Sequence, residues 1–184
     1  MVLQITRTVK INPNPEYKQI TFLDWIKLGI SFRYLSNLSI FAVIIAYYTN
    51  AYELFFIFAP LLITNAILNI ILLVSNLDEL VKGAFGEILP DEKDRNNIKF
   101  EFVIFNLIWH IVPLFWLYSI LDRDHLISAF RPNFMGMYLK SSIIPIIYYY
   151  YLGGIQVYGD VDNLKYFIMY MILLLGTSVF LYMK

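Results

Sequence analysis

The chain has 184 residues, is 59% hydrophobic and 15% charged, and carries no formal net charge. A balance of 14 basic against 14 acidic residues lacks the basic excess of a nucleic-acid-binding protein. The high hydrophobicity excludes intrinsic disorder, and the absence of cysteine excludes disulfide frameworks, thiolate metal centres and cysteine nucleophiles.

Soluble domains are about 45–50% apolar and about 25% charged, so a mean hydropathy of +0.62 displaces this chain towards the membrane. The prevalence of Ile, Asn, Phe and Tyr also fits an AT-rich gene, which weakens arguments from aromatic content alone. Residues 1–20 form a polar tail with Asn-Pro-Asn-Pro at 12–15. No apolar run follows its first basic residues as in a signal peptide. Residues 21–184 read as a single transmembrane domain.

A bilayer crossing needs about 20 predominantly apolar residues. The spacing predicts spans at about 31–49, 52–75, 100–121, 134–152 and 164–183. Thr21-x-x-Asp24 is a candidate capping box that would start the first helix earlier. Asn50-Ala51 is too short for anything but an antiparallel hairpin between spans one and two. Between spans two and three, Leu77, Leu80, Val81, Ala84, Phe85, Ile88 and Leu89 recur at helical spacing. Asp78, Glu79, Lys82 and Glu87 oppose them, which predicts an amphipathic helix over 76–89 lying on the membrane surface or against a protein partner. The fold class expected is therefore all-α: a polytopic helix bundle of about five spans with one surface helix. Five spans place ten of the 14 basic residues on one side, so the positive-inside rule puts the N-terminus inside and the C-terminus outside.

Polar residues at membrane depth are costly and mark function by default. In span one, Arg33 shares a helix face with Ser36 and with Asn37. A hydroxyl beside a guanidinium suits a nucleophile next to an anion-binding group, and equally a snorkelling arginine and a serine bonded to its own helix. In span two, Thr64, Asn65 and Asn69 form a stripe best explained by hydrogen bonds between helices. In span three, Asn106, His110 and Pro113 share a face. Pro113 cannot donate to the carbonyl of Trp109, which frees an acceptor beside the imidazole. His110 is the one histidine at membrane depth, His125 lying in a polar loop. A general base, a proton relay and a metal ligand are all open to it, as is a histidine merely satisfied by a neighbouring helix. Asp160 and Asp162 are two carboxylates without a third ligand, so no metal or other cofactor is expected. HExxH, phosphate-binding glycine loops and GxSxG are all absent.

In order along the chain stand Arg33-Tyr34-Leu35-Ser36-Asn37-Leu38, His110-Ile-Val-Pro113-Leu-Phe-Trp116, Ile144-Pro145-Ile-Ile-Tyr148 and Gly154-Ile-Gln-Val-Tyr158-Gly159. This set resembles the androgen-induced-protein family of multi-span membrane hydrolases, and more closely its bacterial relatives, over residues 31–184. In the animal members an intramembrane threonine and histidine cleave fatty acid esters of hydroxy fatty acids. The resemblance implies that Ser36 takes the place of the threonine and His110 that of the histidine. Arg33, Asn37 and Asn106 would then hold the substrate or its oxyanion. Two departures stand: the nucleophile is serine, and the family has six spans where five are read here. The implied partners are membrane lipids. The competing reading is a non-catalytic membrane subunit of a larger assembly, such as a respiratory-complex accessory subunit or a virion membrane protein, bound through the 76–89 helix. A channel or carrier ranks below both, because no charged pathway crosses the spans.

Overall fold

The computed structural model describes residues 20–31, 34–123, 133–151 and 163–183. Among them all regular structure is helical: α1 (Phe22–Ile30), α2 (Leu35–Tyr48), α3 (Tyr52–Ser75), α4 (Leu77–Phe85), α5 (Glu92–Asn97), α6 (Lys99–Arg123), α7 (Phe134–Tyr151) and α8 (Asn163–Met183). Helices α3, α6 and α8 are each long and apolar enough to cross a membrane, and α1 with α2 adds a fourth crossing if the two are one broken span. Polarity is distributed as in a protein solvated by lipid. Phe115 and Ile108 stand 73% and 58% exposed, while Ser39, Thr64, Ser141 and Ser178 are fully buried.

The span expected over 31–49 holds one helix, α2, and the earlier start offered by Thr21 is a separate helix, α1. Thr21 caps α1 with the anticipated box, its side chain accepting from the Asp24 amide while the Asp24 carboxylate accepts from the Thr21 amide. Ser31 and Tyr34 are extended, and α2 leaves at 71° to α1. With 14 residues, α2 is about 21 Å long, short of a hydrocarbon core of about 30 Å.

Helices α2 and α3 form the predicted hairpin. Asn50 adopts φ 55°, a left-handed conformation that asparagine tolerates better than most residues. The Ala51 amide then reaches back to the Ala46 carbonyl at 2.8 Å, closing the end of α2.

Helix α3 is the axis of the bundle and packs against α2, α6, α7 and α8. Pro60 lies within it and has no N–H to give the carbonyl of Phe56. Tyr182 of α8 supplies the missing donor, its hydroxyl bonding the Phe56 carbonyl at 2.6 Å. Ser141 of α7 donates to the neighbouring Ile57 carbonyl at 2.8 Å. Thr64 and Thr177 meet at 2.8 Å one turn further along. An ion pair between Glu53 and Lys140 closes the hairpin end of the α3–α7 contact.

Of the stripe expected as a helix over 76–89, Leu77–Phe85 forms α4 and a turn follows, and the apolar face is used within the chain. Leu80, Val81, Phe85 and Leu89 are buried. Phe85 meets the ring of Trp25 edge-on at 4.8 Å and that of Phe102 at 6.1 Å. Asp78 pairs with Lys99. Arg95 donates to the carbonyls of Leu89 and Pro90, tying α5 to the turn that follows α4.

Candidate functional site

The described edges of the break between α1 and α2, Ser31 and Tyr34, are half-buried. Asn37, in the first turn of α2, accepts a hydrogen bond from the indole N–H of Trp109 at 2.8 Å. Trp109 is ten residues into α6, so this level is about 15 Å from the start of that helix. Non-helical backbone at such depth is tolerated only where protein or a cavity satisfies its polar groups. Asn37 does so here: its amide donates to the carbonyls of Leu28 at 2.9 Å and Ser31 at 2.8 Å. One side chain thus closes the end of α1, anchors it to α2 and ties both to α6. The close crossing of α1 on α6 needs a small residue, since a Cβ on Gly29 would stand 3.2 Å from the Trp109 ring.

A pocket opens beneath this clamp, and its polar wall is Ser36, Asn37, Asn69, Asn106 and His110. It offers about 40 Å³ to the centres of water molecules, where one water needs roughly 10–15 Å³. Leu80 and Ala84 of α4 and Phe102 and Phe105 of α6 form its apolar wall. Ser36 and His110, far apart in sequence, therefore face one space.

His110 Nδ1 lies 3.0 Å from the carbonyl of Asn106. A carbonyl only accepts, so Nδ1 carries the proton and Nε2 keeps its lone pair. The acceptor is the carbonyl four residues back rather than that of Trp109, which Pro113 was expected to free. No hydrogen bond joins Ser36 to His110 among the described residues, and the Ser36 carbonyl accepts from the Ser39 hydroxyl at 2.8 Å.

The three asparagines differ in what they have left to offer. Asn37 has both amide hydrogens on backbone carbonyls, so it positions helices and has no N–H for a substrate. Asn106 donates one hydrogen to the Phe102 carbonyl at 2.9 Å and accepts from Asn69 at 3.3 Å. Asn69 donates one hydrogen to Asn106, and its Oδ1 is buried without a hydrogen-bond partner. Each of Asn69 and Asn106 thus retains one amide hydrogen. Asn69 lines the pocket, although the stripe it forms with Thr64 and Asn65 is most simply explained by helix packing. Asn65 indeed packs helices, donating to Ser39 at 3.0 Å.

Arg33, His125, Tyr158, Asp160 and Asp162 lie outside the described residues. Among the described residues no group of histidine and carboxylate side chains could hold a metal ion. Comparison of the chain with protein-family models, with curated proteins and with solved structures found no match.

Proposed function

We propose that the chain is an integral membrane ester hydrolase in which Ser36 is the nucleophile and His110 the general base. The observation that carries this reading is the shared pocket, with the Nε2 lone pair of His110 set by the Asn106 carbonyl. In the reaction, Ser36 Oγ attacks the ester carbonyl carbon while His110 Nε2 takes its proton. Collapse of the tetrahedral intermediate breaks the bond to the alcohol, which leaves with the proton returned by His110. Water then attacks the acyl-serine, giving its proton to His110. Ser36 recovers a proton and the carboxylic acid departs. The spare amide hydrogens of Asn69 and Asn106 are the oxyanion donors on this reading, a role Asn37 cannot take.

Five spans accommodate this site: α1 with α2, then α3, α6, α7 and α8, with α4 lying along the inner surface. Ten basic residues on the α4 side against four on the hairpin side favour that side as the inside, with the C-terminus outside.

Purified protein should hydrolyse fatty-acyl esters in micelles, and a fluorophosphonate should label Ser36. Ser36→Ala should abolish labelling, and Ser36→Ala and His110→Asn should each cut turnover at least about 100-fold with unchanged yield and melting behaviour. Full turnover in either variant sinks the assignment. The missing Ser36–His110 hydrogen bond favours a second reading, a non-catalytic membrane subunit whose polar cluster only packs helices. That reading predicts no labelling of the wild-type protein.

A further inference from the structure

We propose that the first turn of α2 is a carboxyl-binding subsite, where the amide N–H of Ser36 and the ring nitrogen Nε2 of His110 together hold the carboxylic acid group of a long-chain fatty acid. The proposal rests on the pocket of the ester-hydrolase reading and names the acyl side as the part of the substrate that this pocket holds.

The argument begins with the end of α2. A helix leaves its first amides without intrahelical acceptors, and a buried end needs a cap, water or a ligand. Tyr34, at the cap position, gives that end no side-chain cap, and the first turn holds no acidic residue. The first α2 amide with a partner is that of Asn37, which donates to the Tyr34 carbonyl at 3.1 Å. The Ser36 amide has none among the described residues, although Ser36 is only 6% exposed and lines the pocket. A helix of 14 residues also brings about half a positive charge to this end. An oxygen with lone pairs is what such an end binds.

His110 supplies the other half independently, from α6. It is 7% exposed and lines the same pocket. Its Nδ1 proton is spent on the Asn106 carbonyl, which leaves Nε2 an acceptor without a donor. Nε2 and the Ser36 hydroxyl are unbonded without being sealed in, whereas Asn69 Oδ1 is sealed, so both open onto the pocket that their residues line. An N–H donor and a nitrogen acceptor around one space call for a group with both functions. A carboxylic acid has them: one oxygen accepts from the Ser36 amide, and the proton on the other lies between that oxygen and Nε2. Size agrees, since about 40 Å³ of water-centre space at roughly 10–15 Å³ per water holds about three water-sized groups. A carboxyl group is one carbon and two oxygens. Leu28, Leu80, Phe102 and Phe105 then meet the first carbons of the acyl chain. During hydrolysis the same N–H would face the oxyanion beside the asparagine hydrogens.

The test uses the full chain in detergent. Tryptophan fluorescence reports binding, since Trp109 lines the pocket, and thermal unfolding gives an independent readout. Oleic acid should bind at least about tenfold tighter than oleyl alcohol, which has one oxygen for two sites, and than a methyl ketone of matched length, which has no proton to give. Replacing Ser36 by its hydroxy-acid analogue, glyceric acid, puts an ester oxygen where the N–H was and keeps the side chain. Oleic acid affinity should fall at least about tenfold, while the free protein melts close to wild type, because this N–H has no partner to lose. His110→Leu should lose the same factor. The two analogues probe the wild-type protein directly, so the proposal stays refutable if a variant fails to fold. Equal or tighter binding of the alcohol or the ketone overturns it, as does a folded glyceric acid or His110→Leu protein with wild-type affinity. Selective oleic acid binding by a protein that hydrolyses no ester supports the subsite and sinks the hydrolase reading. Ester hydrolysis without oleic acid affinity does the reverse.

Discussion

Pro60 removes one backbone donor from the first half of α3, and the Tyr182 hydroxyl replaces it at the Phe56 carbonyl. A side chain from a distant helix thus stands in for a peptide N–H. Tyr182→Phe leaves the carbonyl bare and should destabilise the protein by about 0.6–1.7 kcal/mol, the range for hydrogen bonds between membrane helices. Pro60→Ala restores the local N–H, so Tyr182→Phe should cost less in that background. A double-mutant cycle on unfolding in detergent measures the difference, and strictly additive effects would contradict the account. Residue identity alone did not disclose this pairing. Proline at 60 announces a free carbonyl, but only the packing of α8 on α3 decides which hydroxyl reaches it. The same limit applied at His110. Its depth and its i, i+4 relation to Asn106 were legible, whereas the choice of the Asn106 carbonyl over that of Trp109 depends on the rotamer taken inside the bundle.

Among the elements, the α1–α2 break is where sequence periodicity and structure part. Residues 31–34, Ser-Phe-Arg-Tyr, hold no proline or glycine, so the local sequence gives no warning that the helix stops. The cause is tertiary: Asn37 captures the Leu28 and Ser31 carbonyls, and Trp109 holds Asn37 in place. If this clamp is what docks α1, then Asn37→Leu should raise hydrogen exchange across Phe22–Ile30 by at least about tenfold, roughly 1.4 kcal/mol of local stability. Protection of α3 should be unchanged. Unaltered protection of α1 would show that Trp25 and its aromatic neighbours suffice to hold it. The existence of helix α4 was legible, because its stripe is regular, but the helix stops at Phe85, short of the expected end at 89. Its neighbours were not legible, because an amphipathic period shows that a face is covered and leaves open by what. Here Trp25 and Phe102 of the same chain do so.

Across the described residues, polar side chains such as Ser39, Thr64, Ser141 and Ser178 are buried with the apolar core, while large apolar side chains such as Phe115, Ile172 and Val74 face outward. The native chain has no cysteine, which makes single-cysteine mapping direct. Asn50→Cys in the hairpin and Lys93→Cys in α5 are separated by one passage of α3. An impermeant maleimide should label them from opposite faces of intact vesicles, with Lys93→Cys on the inner face by the positive-inside rule. Labelling of both from one face would overturn the topology. That the chain is a series of apolar helices was readable from the sequence, and so was the hairpin, because Asn50-Ala51 leaves no room for another connection. The joint placement of Ser36, Asn69 and His110 was not, because it depends on three helices meeting at one depth.

Pro60 also bears on the order in which the chain is made. The carbonyl of Phe56 enters the bilayer with α3, and the residue that satisfies it, Tyr182, is synthesised later. Until α8 arrives, the second turn of α3 carries an unmet hydrogen-bonding demand, which is costly in hydrocarbon. A nascent chain paused between α6 and α7 is therefore a natural client for membrane chaperones, and the tyrosine hydroxyl near the end of α8 is what closes the account.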